Sequence, residues 1–122
     1  MARVDKTESA IGVTRGTLKE AFVEADYGKV IGVGIDSAGL TVKGAGQSGV
    51  VGVVIPDRTN SKAGARADIF GNGSEIIFGD NELLVAGTAY YVANATGALT
   101  VTAAAGTKVG FTVEADRLVV TL

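Results

Sequence analysis

The hydrophobic positions of this chain alternate over short stretches and are interrupted by glycine, asparagine and aspartate. From Lys29 onward the pattern is one of strands: "KVIGVGI" reads as a strand, "DSAG" as a turn and "LTVKG" as the return strand. After the loop "AGQSG", the run "VVGVVI" predicts another strand, stopped by Pro56. "PDRTNSKAG" is rich in turn residues, "ARADIF" is a short strand, "GNG" a hairpin signal and "SEIIF" its continuation. "GDNELLVAGTAYYV" carries a turn, a short apolar segment and a strand; "NATG" then turns into "ALTVTA", and the chain closes on a hairpin around "EADR". Connections this short favour antiparallel pairing over crossover helices. The expected fold is therefore mainly β, a small single-domain antiparallel β-sandwich or partly open β-barrel, with one short helix as an option near the start.

That option lies in "TLKEAFVEADYG". Thr17 followed by Glu20 matches a capping box, and Leu18, Phe22 and Ala25 share a helical face, which favours about two turns of helix. Ala21, Val23 and Tyr27 are equally compatible with extended chain, and Gly28 stops either element. Residues 1–16, "MARVDKTESAIGVTRG", are polar apart from Ile11 and Val13. They read as an N-terminal arm, ordered or frayed, preceding a β-rich domain at 17–122. On this reading the arm contributes more to binding a partner, through Ile11 and Val13, than to folding.

Two ribbons echo each other. Ile31, Gly32, Val33 and Ile35 match Val109, Gly110, Phe111 and Val113, with Leu40 against Leu118 and Val42 against Val120. In an extended strand Ile31, Val33 and Ile35 share one side and the glycines the other, so Gly32 and Gly110 mark places where another layer or chain packs closely.

The 122 residues suit one domain with a real core. Hydrophobic residues make up 47% but aromatics only 6%, so the core is built from Val, Ile, Leu and Ala. With no cysteine and no histidine, disulfides, thiolate metal sites, the usual zinc ligand and the usual general base are all excluded. The net charge is −2, with Arg3, Lys6, Arg15 and Lys19 interleaved with Asp5, Glu8 and Glu20, unlike the basic stripe of a nucleic-acid binder. No apolar run approaches the ~20 residues of a membrane span, and the first ten residues lack the apolar stretch of a secretory signal. Neither nucleic acid nor membrane is expected as a partner.

Candidate chemistry is thin. "GAGQSG" lacks the Gly-Lys-Ser/Thr ending of a phosphate loop, and "GVGIDSAG" is followed by strand where a dinucleotide fingerprint needs a helix. Asp68, Asn72 and Glu75 offer oxygens but not calcium-loop spacing. The carboxylate pairs Asp57 with Asp80 and Glu114 with Asp116 have no reason to converge, and Ser61 beside Lys62 would face the opposite way on extended chain. The sequons at Asn72 and Asn94 read as turn chemistry. No catalytic residue, cofactor or metal is expected. Tyr90 and Tyr91 are more informative: in a strand one faces the core and the other faces out, where a flat amphipathic ring suits an interface.

The stretches "GVVIPDRTNSKAGARADIF", "AGTAYYVANATGALT" and "GTKVGFTVEADRLVVTL" resemble the capsid-decoration proteins of tailed bacteriophages, over roughly residues 45–122. The motifs carrying the resemblance are structural glycines and alternating apolar positions, a style shared by other phage tail and baseplate domains. The resemblance implies a compact β domain on the outer surface of the virion capsid, assembled in the host cytoplasm. It further implies a homotrimer that contacts the major capsid protein and braces the expanded head. Gly87, Tyr90, Tyr91, Gly97 and Leu99 would then be scaffold positions, and Ile11, Val13, Tyr90 and Tyr91 the candidate capsid or subunit interface. A carbohydrate-binding tail or fibre module and a small phage enzyme are the competing readings.

Overall fold

The computed structural model describes residues 4–9, 12–78, 84–104 and 106–122, with residues 4–9, 12 and 13 described by their backbone alone. The strands are β1 (Val4–Ser9), β2 (Gly12–Thr17), β3 (Ile31–Ile35), β4 (Thr41–Lys43), β5 (Gly52–Val54) and β6 (Arg66–Phe70). They continue with β7 (Glu75–Phe78), β8 (Ala89–Ala93), β9 (Leu99–Thr100), β10 (Gly106–Thr112) and β11 (Arg117–Val120). Two curled antiparallel sheets form half-barrels: a six-stranded sheet ordered β1-β7-β11-β10-β8-β9 and a five-stranded sheet ordered β2-β6-β5-β3-β4. The mainly β expectation holds.

Apolar residues at alternate positions of the six-stranded sheet build the main core. Ile76, Phe78, Tyr90, Val92, Val109, Leu118 and Val120 are buried there, meeting Val30 and Val53 from the other side. Strands β3 and β5 of the five-stranded sheet are buried on both faces, which explains their nearly continuous apolar runs, whereas β6 alternates exposed and buried positions. Val53 points into the main core while its neighbour Val54 joins Leu18, Phe22, Ile31, Val33, Ala67 and Ile69 in a second core. Adjacent residues on a strand face opposite ways, so "VVGVVI" serves two cores at once.

Three of the four expected hairpins form. Asp36–Gly39 joins β3 to β4, Asn94–Gly97 joins β8 to β9, and Glu114–Asp116 joins β10 to β11. The fourth does not. "GNG" is a tight turn, with the Gly73 amide donating to the Val120 carbonyl at 2.9 Å, but it carries the chain from one sheet to the other. Phe70 pairs with Val53 and Gly12, whereas Glu75 pairs with Val119 and Ser9. Turn residues specify the reversal; the partners on either side decide whether the two arms pair.

The helix preferred at Thr17–Tyr27 is also corrected. Thr17 ends β2, and only a single 3-10 turn, Glu24–Asp26, follows. The backbone amides of Leu18, Lys19 and Phe22 instead donate to the carbonyls of Ala65, Thr41 and Asn60 at 2.9–3.0 Å. Leu18 and Phe22 reach the second core from extended chain, while Ala25 stays exposed. Tertiary partners thus satisfy the donors that a helix would have satisfied internally.

Residues 4–17 contribute strands to both sheets, so the boundary expected at residue 16 falls inside β2. β1 pairs with β7 and β2 with β6, each as an edge strand. Within residues 1–16, the described stretches 4–9 and 12–16 are paired as strands.

Asp36 closes the β3–β4 turn. Its Oδ1 accepts from the Ala38 and Leu40 amides at 2.9 Å each, and Lys19 Nζ lies 3.7 Å from Oδ2. The Leu40 amide above all holds this carboxyl below its usual value; desolvation opposes the shift, and the Ala38 amide and Lys19 add to the lowering. A folded-state pKa below the unfolded one gives stability that is present above the unfolded value and lost as pH falls through the folded value. Asp36→Asn is therefore expected to lower the melting temperature slightly at neutral pH, with the difference from the unchanged protein vanishing in acid. A pH series of melting curves checks this; a gap that widens on acidification refutes it.

Candidate functional site

One surface is the outer face of the six-stranded sheet. Register places Ala89, Phe111, Val119 and Glu75 in one row across β8, β10, β11 and β7. Phe111 and Val113 remain 39% and 42% exposed, large for apolar side chains with no cover. Arg117 lies among them, its Nη1 donating to Glu75 at 2.7 Å and its Nε to Glu114 at 2.8 Å. Hydrogen bonding from Arg117 is the main cause holding the Glu114 carboxyl below its usual value, and the two carboxylates raise the guanidinium in turn. The face is an apolar strip beside a pre-ordered ionic cluster, suited to contact with another protein surface.

Exposure of Phe111 was not legible in the repeat. Its counterpart Val33 is fully buried, and a register shift between Lys108 and Gly110 accounts for the difference. The irregularity leaves Val109 and Gly110 both buried in succession and turns Phe111 outward.

The second surface is a cleft of about 520 Å³ between the 18–29 segment, the β3–β4 hairpin and the β8–β9 turn. Leu18, Phe22 and Ile31 form its floor, and Val42, Lys43 and Ala98 its walls. Lys19, Glu20, Lys29 and Thr96 reach its rim. Lys43 Nζ bonds Asp26 at 2.7 Å and sits 5.0 Å from the Phe22 ring centroid, tying the 3-10 turn to β4. With Phe22 only 3% exposed beneath that ammonium, the cleft lacks the open aromatic platform on which a sugar ring stacks. Sequence reading missed the cleft because its walls come from segments up to about 80 residues apart.

Of the four interface candidates, Tyr90 is a core residue, 5% exposed, its hydroxyl accepting from the Val85 amide at 3.0 Å. Tyr91 faces outward and is half-buried, opposite Lys108 and Thr100. Val13 is the extra residue of a register shift in β2, between Gly12 opposite Phe70 and Thr14 opposite Ile69. Ile11 lies outside the described residues, as does Asp80. The oxygen-bearing trio is dispersed in its bonding: Asp68 pairs with Arg15, Glu75 with Arg117, and Asn72 accepts from the Leu122 amide. Among the described residues no three carboxylates gather as a metal site. Asp57 caps a short 3-10 turn by accepting from the Thr59 amide at 2.8 Å.

No protein-family model matches the chain, and no curated protein does. A solved structure does: a chain from Mycobacterium phage Patience superposes with a TM-score of 0.78 at 21% identity, over 98% of this chain and 95% of that one. What the two share is the fold.

Proposed function

We propose that this protein is a non-enzymatic structural component of a tailed-phage head, binding the outer capsid surface through the major capsid protein and stabilising the expanded shell. The observation that carries the reading is the whole-chain likeness in fold to a phage protein, joined to the resemblance in the glycine and apolar pattern of residues 45–122. An exposed apolar strip on a rigid sheet supports a role in contact. Its location is the virion exterior, after assembly in the host cytoplasm, and its working form is a homotrimer. Closed symmetry is the ordinary outcome for soluble homo-oligomers; the order three comes from the family resemblance.

The test is co-sedimentation with expanded and unexpanded capsids. Binding to expanded capsids, with a higher shell-melting temperature, is expected; equal or absent binding to both overturns the reading. Phe111→Arg is expected to weaken either trimer formation or shell binding while leaving the monomer's melting temperature nearly unchanged, because that side chain is outside both cores. Sedimentation equilibrium, in solution and on capsid release, separates the two effects.

A further inference from the structure

β4 is an edge strand whose outer side faces the cleft. On its inner side the bonded pairs with β3 alternate: Asp36 donates to Leu40, and Gly44 donates to Gly32. In an antiparallel ladder this alternation makes Gly34 and Val42 a bonded pair, and directs the N–H and C=O of Thr41 and Lys43 away from β3. Thr41 uses its outward groups, since its carbonyl accepts from the Lys19 amide at 3.0 Å and Leu18 bridges it in parallel. Beyond Lys19 the chain leaves β4. The outward peptide groups of Lys43 then have no backbone partner among the described residues, and the cleft opens beside them.

We infer that this gap takes one extended segment of the shell protein, added to β4 as a further strand. The inference rests on the head-binding reading above. An incoming strand would bond the Lys43 amide and carbonyl and continue the pairing that Leu18 and Lys19 begin. Strand addition of this kind draws affinity from backbone bonds and selectivity from pockets for alternate side chains. Here the pocket has an apolar floor of Leu18, Phe22 and Ile31. Charge specifies the rest. Lys19 and Lys43 are held by Asp36 and Asp26, but Lys29 and Glu20 on the rim have no ion-pair partner among the described residues. The segment therefore carries an apolar side chain for the floor, a carboxylate beside Lys29 and no acid beside Glu20.

The experiment uses the full chain and expanded capsids. Ala25→Trp narrows the cleft from an exposed position, and Lys29→Glu reverses its unpaired charge. Each is expected to weaken capsid binding about tenfold or more, with the melting temperature unchanged. Amide hydrogen exchange over Thr41–Ala45 is expected to slow when the unchanged protein binds. If the unchanged protein binds but exchange there does not slow, or both variants bind with full affinity, the cleft assignment is overturned while head binding stands. If the unchanged protein fails to bind expanded capsids, the head-binding reading falls and this partner falls with it.

Discussion

Deleting residues 1–17 lowers the melting temperature by roughly 15 °C, or abolishes cooperative unfolding, on the expectation that an edge strand is lost from each sheet. β1 covers β7 and β2 covers β6, so their removal bares two edges together. The loss reaches the second core. Gly16 packs on Thr41 and lies 3.2 Å, measured from an added Cβ, from Ile69 Cδ1. Ile69 is fully buried and would become accessible from that side. Each backbone hydrogen bond contributes about 1 kcal/mol net, and unpaired strand edges also promote association between chains. A melting curve beside light scattering checks both consequences. A truncated protein that melts within about 2 °C of the full chain would show that the two strands are appended and not part of the stability of the fold.

The second large effect concerns the distance between sheets. A Cβ placed on Gly32 would fall 2.8 Å from Val92 Cβ and closer still to Val92 Cγ2. Val92 is fully buried in the main core, and β-branching restricts its escape to another rotamer. Gly32 also accepts from Gly44 and donates to Gly97, each at 2.8 Å, so its backbone is held at the seam between β3 and the β8–β9 turn. Gly32→Ala is expected to cost about 3 kcal/mol, near the top of the usual range for overpacking, or roughly 10 °C in melting temperature for a chain of this size. Val92→Ala alone is expected to cost about 2 kcal/mol through the cavity it leaves. Combined, the two should cost less than their sum by about 1 kcal/mol or more, because the second change opens the space the first one needs. Additive losses in denaturant titrations would mean that Val92 is not what excludes the methyl group.

The seam at Gly32 connects these effects to function. Ala45 donates to the Asn94 carbonyl and Ile31 bridges Ala98, so the β8–β9 turn of one sheet is fastened to the β3–β4 hairpin of the other. Ala98 and Thr96 from that turn also line the cleft. Packing that fixes sheet separation therefore fixes the width of the cleft, and under the proposed head-binding function Gly32→Ala should disturb shell binding as well as stability.

Sequence alone determined what is settled within a few residues. Asp36 bonds the amides of its own turn, Glu114 bonds Arg117 across the last hairpin, and Gly97 adopts φ +76°, so these reversals could be read directly. The absence of histidine and cysteine likewise fixed which chemistries were unavailable. Tertiary structure decided everything that depends on remote partners. "GNG" became a pivot between sheets because Phe70 and Glu75 each found other neighbours. Apart from one 3-10 turn, the Thr17–Tyr27 segment stayed non-helical because Ala65, Thr41 and Asn60 accept its amide protons. The two echoing ribbons diverged because a register shift in β10 turned Phe111 outward while Val33 stayed in the second core. Local turn chemistry acts over about four residues, whereas β1 meets β7 and Leu18 meets Thr41 only once the sheets have closed. The exposed strip and the cleft belong to that second class, which is why composition and motif left both unseen.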